Sequence, residues 1–90
     1  MIKIQYSKRF KKNFCKRIPE NSLLEKKYTK RLNLFIQDPS NKILNNHKLV
    51  GKLTNYHAFS ITGDIRVIYF QESKETVLFL DIGTHNQVYG

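Results

Sequence analysis

Residues 56–82 read YHAFSITGDIRVIYFQESKETVLFLDI, and this stretch decides the fold. YHAFSIT (56–62) and IRVIYF (65–70) are rich in β-branched and aromatic residues, and the GD at 63–64 between them reads as a tight hairpin turn. QESKE (71–75) is a second, polar turn, and TVLFLDI (76–82) follows as the last long strand. Three strands with short connections make a meander, in which each strand runs antiparallel to the one before it.

Upstream, IKIQY (2–6) alternates apolar and polar residues, with Ile2, Ile4 and Tyr6 on one face, and predicts a first strand. Ser7 suits a helix N-cap. Phe10, Phe14 and Ile18 then recur every four residues among Lys8, Arg9, Lys11, Lys12, Lys16 and Arg17, which predicts a short, very basic amphipathic helix. Pro19 ends it, and Asn21 or Ser22 caps a second helix running to about Gln37. Leu24, Tyr28, Leu32 and Phe35 line one face of that helix, widened by Leu23 and Ile36, with Lys26, Lys27, Lys30 and Arg31 opposite. Asp38-Pro39-Ser40 stops it, because a residue before proline avoids the helical region. Residues 41–53 read as a polar loop with apolar anchors at 43–44 and 49–51. The expected architecture is a single α+β domain in the order β-α-α-β-β-β. Two N-terminal helices cover one face of a small, mainly antiparallel sheet of about four strands, and the other face stays partly open.

The chain has 90 residues, enough for one modest core, and no tryptophan, so its six Phe and five Tyr must do much of the core filling. The lone Cys15 allows no internal disulfide and reads as a reduced, semi-buried thiol. No secretory segment is recognisable and no apolar run approaches the roughly 20 residues of a membrane span, so a cytoplasmic location without membrane association is expected. Sixteen Lys and Arg stand against seven Asp and Glu, a formal net charge of +9. Such an excess on a small chain points to a polyanionic partner, either a phosphate backbone or an acidic protein.

The residues with chemistry fall at strand ends. His47 precedes the meander, Asp64 sits in its first turn, and Arg66 lies two residues further on. The last strand ends at Asp81-Ile82-Gly83, which reads as a glycine turn, followed by Thr-His-Asn-Gln-Val-Tyr-Gly with His85 and Tyr89. The last strand runs antiparallel to the Arg66 strand, so its exit returns to the Asp64 end. Arg66 and His85 are then neighbours although nineteen residues separate them. A histidine can act as acid or base near neutrality, and an arginine matches phosphate oxygens with a planar fork. Those residue types suit metal-free RNA cleavage by the substrate's own 2′-OH. No cysteine or carboxylate cluster is present and the three histidines lack ligand spacing, so no cofactor is expected. Plainer readings stand beside these. Arg66 could pair with Asp64 or Glu72, Asp64 could simply favour the turn, His47 could be a solvated loop residue, and Tyr89 could tuck against the sheet. His57 reads as surface or packing.

HKLVGKLTNYHAFSITGDIRVIYF (47–70) followed by DIGTHNQVYG (81–90) resembles the RelE/ParE superfamily of bacterial toxins from type II toxin–antitoxin systems, and within it the YafQ-like branch. The motifs are His-x-Leu-x-Gly, a strand pair ending in Ile-Tyr, and a closing Gly-Thr-His-x-x-x-aromatic. The resemblance covers residues 47–90; the helical half matches in length, charge and order. It implies a four-stranded antiparallel sheet with two N-terminal helices, and a ribosome-dependent endoribonuclease neutralised by an acidic antitoxin. The alternative within the superfamily is a ParE-like inhibitor of DNA gyrase, which binds without catalysis. Carried over by position, the resemblance implies His85 as general acid, Arg66 as the phosphate-holding cation, His47 or Asp64 as base, and Tyr89 as a stacking or orienting aromatic. Lys8, Arg9, Lys11, Lys12, Lys48 and Lys52 would contact RNA phosphates. Where YafQ-like toxins carry a further histidine on the strand before the hairpin, this chain has Ser60, and His57 is expected on the opposite face.

Overall fold

A computed structural model describes residues 2–49 and 55–89. Its elements are β1 (Lys3–Tyr6), α1 (Lys8–Arg17), α2 (Leu23–Gln37), a 3₁₀ turn (Lys42–Leu44), β2 (His47–Lys48), β3 (Tyr56–Ser60), β4 (Ile65–Gln71), β5 (Thr76–Thr84) and α3 (His85–Tyr89). Both long helices begin where their caps predict. The Ser7 hydroxyl accepts from the Phe10 amide at 3.0 Å, and the Ser22 hydroxyl accepts from the Glu25 amide at 3.1 Å.

The sheet has five strands in the order β1-β5-β4-β3-β2, not four. The additional strand is the two-residue β2, inside the segment read from sequence as loop; two residues are too few to show alternation. The meander is antiparallel as expected, but β1 lies parallel to β5, from Lys3 opposite Thr76 to Tyr6 opposite Phe79, so the sheet is mixed. Beyond Tyr6 the edge of β5 is taken over by α1. The Ser7 amide donates to the Phe79 carbonyl at 3.0 Å and its hydroxyl to the Leu80 carbonyl at 3.1 Å.

Phe10 and Ile18 of the α1 segment and Tyr28 and Phe35 of α2 are buried with Phe59, Val67, Tyr69, Val77, Phe79 and Ile82 from the sheet. Phe35 is the centre of this aromatic core, stacked on Phe59 at 4.5 Å between centroids and edge-on to Tyr69 and Phe79. The Tyr69 hydroxyl, the polar tip of a buried ring, donates to Asn46 at 2.9 Å. Leu23, placed from sequence on the apolar face of α2, is instead 78% exposed at its first position, and Leu34 packs against the core. Of the 43–44 anchor, Leu44 is fully buried while Ile43 points outward; Cys15 is exposed rather than semi-buried. No helix among the described residues is long and apolar enough to cross a membrane.

One irregularity in β5 shapes the molecule's other face. Tyr69 pairs with Phe79 and Ile68 with Asp81, so Leu80 is an extra residue. Without it, strict alternation after Val77 and Phe79 would aim the Asp81 carboxylate at the aromatic core. With it, Ile82 enters the core and Asp81 joins the opposite face.

Candidate active site

The register of β3, β4 and β5 sets Ser60, Arg66 and Gly83 side by side in one row on the open face. Gly83 is therefore a strand residue paired with Arg66, not the turn glycine that the sequence suggested. Past it, Thr84 caps a short helix, α3. Its amide donates to Gln87 Oε1 at 2.8 Å, and its hydroxyl accepts from the Gln87 amide at 3.3 Å, the reciprocal pair of a capping box. The T-x-x-Q signal for this helix is present in the sequence and went unread. The helix places His85 and Tyr89 one turn apart on the same side, ring centroids 4.5 Å from each other. Tyr89 in turn lies over Arg66, its ring centroid 5.9 Å from the guanidinium carbon.

At the other side, the Thr62 hydroxyl accepts from the amides of Asp64 and Ile65 at 3.2 and 3.0 Å, shaping the loop that carries Asp64. Gly63, Asp64, Arg66, Thr84, His85 and Asn86 line one cleft of about 250 Å³. The topological argument thus brings Arg66 and His85 together, at the surface and with Asp64 beside them. Arg66 is half-buried, and its Nε is enclosed without a hydrogen-bond partner. Neither Asp64 nor Glu72 pairs with it; the ion pairs among the described residues both end on Asp81. Arg66 thus lines the cleft as a cation without an ion-pair partner among the described residues, which suits an anion.

The remaining candidates fall elsewhere. His47 lies on β2, in the row of Ala58, Ile68 and Asp81. That is two strands and one row from Arg66, roughly 12 Å by strand geometry. Its Nδ1 is 2.8 Å from the Asn45 carbonyl, and it does not line the cleft. His57 is on the helix-covered face, stacked on Tyr69 at 5.2 Å, so it is a packing residue as expected. Burial, then the charges of Lys48 and His47, hold its pKa below the ordinary value. Lys8, Lys11, Lys12 and Lys48 are exposed. Arg9 is exposed but turned onto Asp81 at 3.2 Å. Lys52 lies outside the described residues. No cluster of potential metal ligands occurs among those residues.

Sequence reading missed Asp81. Its Oδ1 accepts from Asn13 Nδ2 at 2.7 Å, Arg17 Nη1 at 3.2 Å and the Ile82 amide at 2.9 Å. Arg17 also donates to the Ile82 carbonyl at 2.8 Å. The available signal was a single carboxylate inside an apolar run, with Arg9, Asn13 and Arg17 spaced four apart on the helix opposite.

Comparison with known proteins agrees with this architecture. The crystal structure of YafQ from E. coli strain BL21(DE3) superposes with a TM-score of 0.80 over 100% of both chains at 21% identity. YafQ in the E. coli DinJ-YafQ complex gives 0.81 at 21% identity, again over 100% of both chains. A metal-bound toxin from Helicobacter pylori gives 0.75 at 24% identity, over 98% of this chain and 99% of that one. Identities this low speak to the fold alone. No curated protein matches the sequence with significance. The family model for the bacterial toxin of type II toxin-antitoxin system, YafQ, matches residues 2–90, and the chain therefore belongs to the YafQ family of type II toxins.

Proposed function

We propose that this toxin is an endoribonuclease that cuts mRNA on the ribosome without a metal cofactor and so stops translation. The observation that carries the reading is Arg66, which has no ion-pair partner among the described residues and lines a cleft together with His85 and Asp64. In that arrangement Asp64 takes the proton of a ribose 2′-OH and the 2′-oxygen attacks the adjacent phosphorus. Arg66 holds the two non-bridging oxygens as charge builds on them. His85, as imidazolium, gives its proton to the departing 5′-oxygen, leaving a 2′,3′-cyclic phosphate and a free 5′-hydroxyl. His47, the other candidate base, stands across the sheet from this cleft, which favours Asp64. Tyr89, flanking both His85 and Arg66, orients the nucleotide by stacking. Lys8, Lys11, Lys12, Lys48 and Lys52 supply phosphate contacts to ribosomal RNA, and Arg9, which pairs with Asp81, adds to the positive potential of that surface.

An acidic antitoxin is the second partner. The net charge of +9 suits it, and YafQ of E. coli has been crystallised in complex with DinJ. The site of action is the cytoplasm, where translating ribosomes are. The gyrase-inhibitor alternative has no use for an unpaired guanidinium beside an imidazole, so the cleft favours the nuclease.

Primer extension on translated mRNA after induction is the test. The wild type gives new 5′ ends within translated frames and arrests growth; His85→Ala folds normally and does neither. A His85→Ala protein that cuts mRNA as the wild type does would remove the assignment. DNA-damage signalling with intact mRNA would point to gyrase instead.

A further inference from the structure

We infer that Arg17 is a positioning residue for the cleft. Clamped onto Asp81 and the Ile82 carbonyl above Gly83, its guanidinium is the abutment that keeps α3, and with it His85 and Tyr89, in place over Arg66. The inference deepens the nuclease reading and rests on it for its catalytic consequence.

The helix α3 has five residues and buries none of them. A segment of that length does not hold its shape in water on its own. Its capping box secures the first turn through the Gln87 side chain. That side chain lies beside Gly83 of β5. A Cβ built on Gly83 would stand 2.6 Å from Gln87 Oε1 and 2.7 Å from Arg17 Nη1, so the amide and the guanidinium crowd the same bare patch of strand. Arg17 is the rigid member of the pair. Its side chain is 20% exposed, and Nη1 reaches two acceptors on β5, Asp81 Oδ1 at 3.2 Å and the Ile82 carbonyl at 2.8 Å. Charge-assisted bonds to a carboxylate that is itself 5% exposed hold such a group firmly. Gly83 lets the two close over the strand, since any side chain there would force one of them away.

Removing the guanidinium opens space beneath Gln87 and loosens α3, while Arg66 stays where β4 puts it. The loss therefore falls on the chemical step, which depends on the mutual placement of His85, Tyr89 and Arg66, and little on association with the ribosome.

Arg17→Ala, Arg17→Lys and a control, Lys74→Ala in the exposed β4–β5 turn, are compared in two measurements. NMR of the free toxin reads amide exchange in α3 and the ring signals of His85, which the Tyr89 ring shifts. Single-turnover cleavage on mRNA-programmed ribosomes, over a range of toxin concentration, separates the maximal rate from the half-saturating concentration. Arg17→Ala is expected to speed α3 exchange and lower the maximal rate, each about tenfold or more, with half-saturation changing less than about threefold. Arg17→Lys, a point charge without the fork, falls between, and Lys74→Ala matches the wild type. Unchanged α3 exchange and His85 signals in Arg17→Ala overturn the inference. So does a defect confined to half-saturation, which would make Arg17 a ribosome contact. If Arg17→Ala does not fold, Arg17→Lys, which keeps a cation opposite Asp81, carries the same comparison. A wild type that cuts nothing on ribosomes sinks the nuclease reading, while the NMR measurements still decide where Arg17 acts.

Discussion

Arg66 and Asp81 are the two polar residues on which this molecule turns, and they are opposite cases. Asp81 is buried with its charge countered by Arg9 and Arg17 and its Oδ1 also bonded by Asn13, although Oδ2 makes no hydrogen bond, whereas Arg66 has neither an ion-pair partner nor a hydrogen bond at its enclosed Nε among the described residues. A structural arginine would lower stability when removed; an arginine awaiting a ligand should not. Arg66→Ala is accordingly expected to leave the melting temperature unchanged or slightly raised while slowing mRNA cleavage about 100-fold or more. A marked fall in melting temperature would make Arg66 a scaffold residue. His57 offers a second residue-scale test. Its folded pKa is depressed, chiefly by burial, so between that value and the ordinary value of about 6.5 the unfolded chain binds a proton that the folded chain refuses. Stability is then full above about pH 6.5 and falls as the pH drops below it. Melting temperatures of the wild type across pH 5 to 8 should show this decline, and His57→Gln should show a shallower one.

At the scale of elements, the junction at Ser7 does most of the joining. One residue ends β1, caps α1 and fastens both to β5, through its amide to the Phe79 carbonyl and its hydroxyl to the Leu80 carbonyl and the Phe10 amide. Ser7→Ala should cost about 1–2 kcal/mol. For a domain of this size that lowers the melting temperature by about 4–16 °C, with cleavage by the folded protein unchanged because Ser7 does not line the cleft. Calorimetry and the ribosome assay check the two halves of that statement. Elements with a strong local signal were legible in advance. Cap residues followed by apolar residues every three or four positions marked both long helices, and the β-branched runs marked the meander. The misses were elements too short for any period to show. β2 is two residues long, and α3 is announced only by Thr84 and Gln87, a pattern that blends into what looks like a loose tail.

For the molecule as a whole, an aromatic core replaces the tryptophan that the chain lacks, and Phe35 is its keystone. Phe35→Ala should cost about 3–5 kcal/mol, a large share of what a 90-residue domain possesses, and the variant should be largely unfolded or aggregated at 37 °C by circular dichroism. A folded, active Phe35→Ala protein would contradict the core described here. The mixed sheet also belongs to this scale. β1 pairs in parallel with the last strand, not with the strand that follows it in sequence, and two helices lie between them in the chain.

The sequence by itself determined the two long helices, the antiparallel meander, the basic surface and the arrival of His85 beside Arg66. Each of these follows from local periodicity, from caps and turns, or from counting strand reversals, and none needs to know what lies across the core. Tertiary structure alone decided the partners. The extra residue at Leu80 turns Asp81 out of the aromatic core and toward α1. That clasp engages Arg9 and Arg17, no ion pair among the described residues reaches Arg66, and the sheet order puts His47 on β2, two strands from Arg66. Which charge meets which depends on register and bulges across strands far apart in the chain, and a linear pattern of residue types carries no record of that pairing.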